Sequence, residues 1–142
     1  MSGNELNPTS DRIRIGLLSR SGQVPARSGL NWGQRPGRNG NEAYIAIPIQ
    51  HTRDRFFPEI ARPFRVMTDS GEQLTLVRCQ QQGKALQSLP HNYMLGHYFR
   101  ERLGVPSGMP IIKSHLLSYG RTDIEISRLD AFEYFLDFGA GQ

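Results

Sequence analysis

Thiols are almost missing from this chain: Cys79 is the sole cysteine among 142 residues. One thiol excludes an internal disulfide framework and cannot furnish a thiolate cluster for zinc. It also fits a reducing compartment. No apolar run approaches the length needed to span a bilayer. The opening residues, Met1 to Arg12, are polar and lack the apolar stretch of a secretory signal. These absences lead to the expectation of a soluble, cytoplasmic protein with no membrane attachment. Lysine is scarce too: of 17 basic residues, 15 are Arg, and only Lys84 and Lys113 are Lys.

The signatures of catalysis are also missing. No Asp or Glu stands two residues before a Lys, so two-metal phosphodiester chemistry lacks its usual partners. No His-x-Lys pair occurs, and neither a Walker loop nor a Gly-x-Ser-x-Gly elbow is present. His91 and His97 flank a helix start with no acid nearby, which makes a poor metal site. Asp123 beside Arg121 reads as a structural ion pair. The expectation is no catalytic residue, no metal and no cofactor.

What remains is a one-domain chain, long enough to bury a core without staples. Its net charge is +4 and its pI near 9.6. Arginine presents a rigid fork of donors to phosphate or guanine. A GC-rich genome explains an Arg bias equally well, so placement has to decide. From Arg12 to Asn41 there is no acid and there are six Arg. A second acid-free window, Gln73 to Arg100, holds Arg78, Lys84 and Arg100. Thr122 to Gln142 has five acids and only Arg128 as a base. Two segments are therefore built to lie against a polyanion, and the C-terminal segment to lie away from it.

The pattern gives a frayed lead at 1–10, a domain over 11–138, and the start of a linker or tail at 139–142. Strands are expected at Arg12–Ser19 and Glu42–Pro48, and a hairpin at Phe64–Thr68 and Gln73–Cys79. Residues 20–41 read as a long functional loop and 49–63 as irregular. Gln80–Ser88 reads as a polar connection. A helix runs to Leu103 with Asn92 as its N-cap and Gly104 past its end. A short helix follows at Lys113–Tyr119, then late strands at Thr122–Ser127 and Phe132–Phe138. The fold class is mostly β with one or two short helices, a small barrel or pseudobarrel.

Two constellations carry chemistry. In the first, Arg20 and Arg27 lead into Asn31, Trp32, Gln34, Arg35, Arg38, Asn39 and Asn41 within a glycine-rich frame. Arg forks match guanine, and Asn or Gln amides match adenine. Trp32 either stacks on a sugar or base or anchors the loop. The second constellation is Arg78, Gln80, Gln81, Gln82 and Lys84, in which amides read base edges while Arg78 and Lys84 position the backbone. Two alternatives stay open: a nuclease with an unrecognised metal site, and a non-specific nucleic-acid-binding or protein-binding β domain.

Several stretches, in order and at compatible spacing, carry a resemblance: Asn31 to Ile45, Phe56 to Pro58, Phe64 to Gly71, Gly83 to Leu86, Leu95 to Gly104, and Tyr119 to Ile124. Together they resemble the B3-like DNA-binding domains of prokaryotic restriction endonucleases of the NgoFVII/NgoAVII type. They are also similar to the amino-terminal recognition domain of a monomeric enzyme of the EcoRII group. The resemblance implies a seven-stranded pseudobarrel that grips a duplex in the major groove like a wrench. An N-arm would fall around Arg20–Asn41 and a C-arm around Arg78–Ser88. It further implies a target-recognition or effector domain reading a short GC-containing site, monomeric, and covalently linked to a nuclease domain. Beginning at Met1 and ending in Gly139–Gln142, the chain is expected to be the amino-terminal part of that larger enzyme.

Overall fold

Alternating apolar and polar residues build the sheet. In β1 (Arg12–Gly16), Ile13 and Ile15 turn inward while Arg12 and Arg14 face solvent. The computed structural model describes residues 11–140. The expected lead at 1–10 and the last two residues of the expected tail lie outside the described residues. β2 (Ile45–Ala46), β3 (Phe64–Thr68), β4 (Gln73–Cys79), β5 (Ala85–Leu89), β6 (Asp123–Asp130) and β7 (Glu133–Asp137) complete the set. They form one seven-stranded sheet in the order β1-β6-β7-β3-β4-β5-β2. Only β3 and β7 pair in parallel. The sheet curls into a half-barrel, the seven-stranded pseudobarrel that was expected.

The core fills the curl. Phe57 and Tyr134 stack with centroids 5.8 Å apart, and Phe56 and Phe64 pack around them. The Tyr134 hydroxyl donates to the Phe56 carbonyl, so the ring's polar end is satisfied inside the core. α1 (Tyr93–Leu103) buries Leu95, Tyr98 and Phe99, and α2 (Lys113–Tyr119) buries Leu116. Gly104 and Gly120 end these helices with φ of 73° and 104°.

One polar node ties three elements together. Asp69, in the β3–β4 turn, accepts from Arg102 Nη1 and Nη2 (3.0 and 2.8 Å), Tyr98 Oη (3.0 Å) and the Phe138 amide (3.0 Å). Burial would raise its pKa. Those bonds and the positive charge of Arg102 outweigh burial and hold the carboxyl at about 2.

Three expectations change. Asn92 makes no side-chain cap. The hydroxyl of Ser88 in β5 accepts the Leu95 amide at 3.0 Å and donates to the His91 carbonyl at 2.7 Å, so the helix start is tied from across the sheet. Gln80–Ser88 is not all connection, because Ala85–Leu89 is a strand with Ala85, Leu86 and Ser88 buried. The expected strand at Glu42–Pro48 shrinks to Ile45–Ala46, because the preceding residues are tied to loops and to α1 instead. The acid-rich C-terminal segment is tied to the start of the first basic window. β6 pairs directly with β1, and Arg14 meets Glu125 at 3.3 Å and Asp123 at 3.8 Å. The expected Arg121–Asp123 pair is present at 2.9 Å.

Candidate nucleic-acid interface

The β1–β2 connection holds the stretch expected to form the N-arm. Its base is a scaffold built from side chains that point inward. Asn31 is 1% exposed and donates to the carbonyls of Pro25 (2.9 Å) and Ile111 (2.7 Å). Its Oδ1 accepts the Ile111 amide at 2.8 Å. Gln34 donates to the carbonyls of Gly40 (3.0 Å) and Gly108 (3.1 Å). Asn41 donates to Ser107 Oγ and accepts the Gly108 amide at 2.7 Å. Arg100, also 1% exposed, reaches from α1 to the carbonyls of Met109, Gly96 and Leu30. Burial pushes its guanidinium down to about 10, so it remains charged at neutral pH.

Close backbone contact completes this base. A Cβ on Gly40 would meet Gly108 O at 2.6 Å, and one on Gly96 would meet Asn41 O at 1.7 Å. Glycine at those two positions lets α1 and the 106–110 loop press against the arm.

Outward from this base the arm presents its cations. Arg20 is exposed in a turn closed by the Gly22 amide donating to Ser19 O at 2.9 Å. Arg27, Arg35 and Asn39 are exposed, and Arg35 Nε donates to the Arg27 carbonyl at 2.9 Å. Arg38 lies 3.8 Å over the Trp32 ring and pairs with Glu42 at 2.6 Å. Trp32 in turn sets its ring edge-on to Tyr44, with centroids 5.5 Å apart. Of the two roles open for Trp32, the structure supports the anchor: it holds the loop and orients Arg38.

The stretch expected to form the C-arm contains a short connection, residues 80–84, between β4 and β5. Gln80, Gln82 and Gly83 have φ of 69°, 64° and 65°. Left-handed backbone at two glutamines is costly and persists only where surrounding bonds enforce it. Here Arg78 enforces it. Its Nε donates to the Gly83 carbonyl (3.2 Å) and its Nη2 to the Thr52 carbonyl (2.8 Å). The result lifts Gln80, Gln81, Gln82 and Lys84 into solvent as a compact knuckle.

The two connections meet at the seam of the half-barrel. Gly16 at the end of β1 and Ile45–Ala46 of β2 line the same cavity, of about 190 Å³. Ile45 and Ala46 pair with Leu86 and Ala85, the first residues after the C-arm. The Ile47 amide donates to the Lys84 carbonyl at 2.8 Å. The open edge of the half-barrel thus brings the two acid-free windows side by side. A family profile described as the NgoFVII C-terminal B3-like DNA-binding domain matches residues 6–130. The chain belongs to that family. It is a B3-like DNA-binding domain of the restriction-enzyme type. No curated protein matches the chain.

Four of the residues that sequence reasoning turned toward DNA face inward in this B3-like domain. Asn31 and Gln34 donate to backbone carbonyls, and Asn41 donates to Ser107 Oγ and accepts the Gly108 amide, so these side chains are engaged in holding the β1–β2 connection. Arg78 is 8% exposed and spends its guanidinium on carbonyls, so it fixes the C-arm instead of touching phosphate. Residues 49–63, read only as irregular, form the seat of the C-arm. Ala61 N donates to the Arg78 carbonyl at 3.1 Å, and Ile60 packs on Gly83. No local sequence signal marks that seat, because its partners lie across the sheet. Among the described residues no group of three or more His, Cys, Asp or Glu is placed to hold a metal ion, and no helix is long and apolar enough to cross a membrane.

Proposed function

We propose that this B3-like domain recognises a short, GC-containing duplex sequence through the major groove, with the N-arm and C-arm entering from one side. One observation carries this reading: the exposed side chains at the shared seam are arginines and amides on rigid supports. Arg35 and Arg38 have the fork geometry for guanine, and Gln80, Gln81 and Gln82 have amides for base edges. Arg20, Arg27, Asn39 and Lys84, all exposed, would contact phosphates, which set register without carrying sequence. The domain acts as a monomer in the cytoplasm, as the recognition or effector part of an enzyme whose cutting chemistry sits on a covalently linked nuclease domain.

Selection from a random duplex library, followed by titration of the recovered site, tests the proposal. Arg35→Ala should lose about 1–3 kcal/mol of discrimination between cognate and scrambled duplex. Equal, small losses on both would remove Arg35 from base reading. Affinity should also fall steeply with salt as counterions are released. Recovery of no preferred sequence would overturn specific recognition.

A further inference from the structure

Beside the C-arm lies an open cleft of about 650 Å³ between residues 52–62 and the β6–β7 turn. Arg53, Arg55 and Arg62 line it, with Glu59 as the one acid in its wall. Arg53 and Arg55 are exposed and have no acidic partner among the described residues. The nearby acid Asp54 is engaged with His51 at 2.6 Å. Arg62 lies 4.6 Å over the Phe132 ring, which fixes its guanidinium at the cleft wall. Arg55 has φ of 64°, and its carbonyl accepts from Arg128 Nη1 at 3.0 Å, so its backbone is pinned as well. Three guanidiniums, one of them held on Phe132, outnumber the single acid Glu59 and form a site for phosphate oxygens, which match the fork of each donor set.

The cleft is continuous with the C-arm. Arg78 lines it and donates into the arm at Gly83, and Ile60 packs on that same glycine. Its openness suits a backbone running through, not a small enclosed ligand.

We propose that this cleft seats backbone phosphates of duplex DNA continuing past the stretch held by the two arms. The site is sequence-independent and lengthens the footprint on one flank. It rests on the DNA-binding reading above.

The test uses the full chain and the duplex sequence recovered by selection, placed in about one and about three helical turns of DNA (roughly 10 and 30 base pairs). Wild type should bind the longer duplex more tightly. Arg53→Gln with Arg55→Gln should cost about tenfold on the long duplex near 0.1 M salt and lower the salt exponent by about 2, the value for two lost phosphate contacts. Affinity for the short duplex and the base preference should stay within about twofold of wild type. Arg53→Lys with Arg55→Lys keeps both charges and should restore most of the lost binding, which a folding defect would not allow. An unchanged length advantage, or equal loss on both duplexes, would overturn the proposal. A wild-type chain that binds neither duplex would instead fell the DNA-binding reading itself.

Discussion

Asn31→Ala separates scaffold from readout. Asn31 lies inside the N-arm window and has the amide that suits adenine, yet it is 1% exposed. Its three short hydrogen bonds, 2.7, 2.8 and 2.9 Å long, join Pro25 and both backbone groups of Ile111. A hydrogen bond contributes about 1 kcal/mol net, and a buried donor or acceptor left unpaired costs about 1–3 kcal/mol. Alanine removes all three bonds and strands the buried Ile111 amide, so the loss should be about 3–5 kcal/mol. Against a total of roughly 5–15 kcal/mol, that is a large fraction. For a chain of this size it lowers Tm by about 10–15 °C. Urea and thermal unfolding give the stability. Titration well below the new Tm, with cognate and single-substituted duplexes, gives the base preference. The expected result is a much less stable protein whose relative preference among duplexes is unchanged. Normal stability combined with a relaxed preference at one base would refute the assignment and return Asn31 to the groove.

Further outcomes follow from the same geometry. Gln82→Gly relieves a left-handed backbone, so stability should rise by about 0.5–1 kcal/mol while discrimination falls; calorimetry and duplex titration read the two effects separately. A simultaneous loss of stability would show that the side chain holds the arm. Gly96→Ala drives a Cβ into Asn41 O and should cost at least about 2 kcal/mol by urea unfolding, because neither α1 nor the arm base has room to retreat. Asp69 titrates at about 2 in the fold against an ordinary value of 3.8. Its lowered pKa gives stability that is fully present above that ordinary value and lost as pH falls toward 2. Asp69→Asn should flatten that part of the urea-midpoint profile between pH 5 and 2, and an unaltered slope would count against the node.

Strand alternation made most of the sheet legible. Phe64–Thr68 and Gln73–Cys79 show hydrophobic alternation around an Asp-Ser-Gly turn, and the hairpin follows from local rules. The end of α1 was equally readable from Gly104. β5 was not, because Ala85–Leu89 begins in a glutamine-rich run and gains its burial from β4 and α1. The two acid-free windows are legible from charge, since the absence of acids is a property of the sequence alone. Which side chains within them face outward could not. Asn31 and Asn39 are the same residue type eight positions apart, and only the 106–111 segment, distant in sequence, takes the first of them inward. Arg78 misled for a related reason: a guanidinium suits three backbone carbonyls as well as it suits a phosphate.

On the reading proposed above, the inward residues let short arms discriminate. A flexible arm would lose conformational freedom on entering a groove, and that loss subtracts from affinity. In this fold much of that ordering is complete before any duplex arrives. Arg78 pins the C-arm knuckle, Trp32 and Glu42 set the Arg38 fork, and Asn31, Gln34 and Asn41 lock the N-arm to the 106–111 segment. On the reading proposed above, target choice would reside in the outward residues. Changing Gln80, Gln81 or Arg35 should therefore redirect base preference at small cost in stability, whereas changing any of the pinning residues should lower stability first. The arms combine exposed tips with a fixed frame, and the division between the two lies at the boundary between exposed and buried side chains.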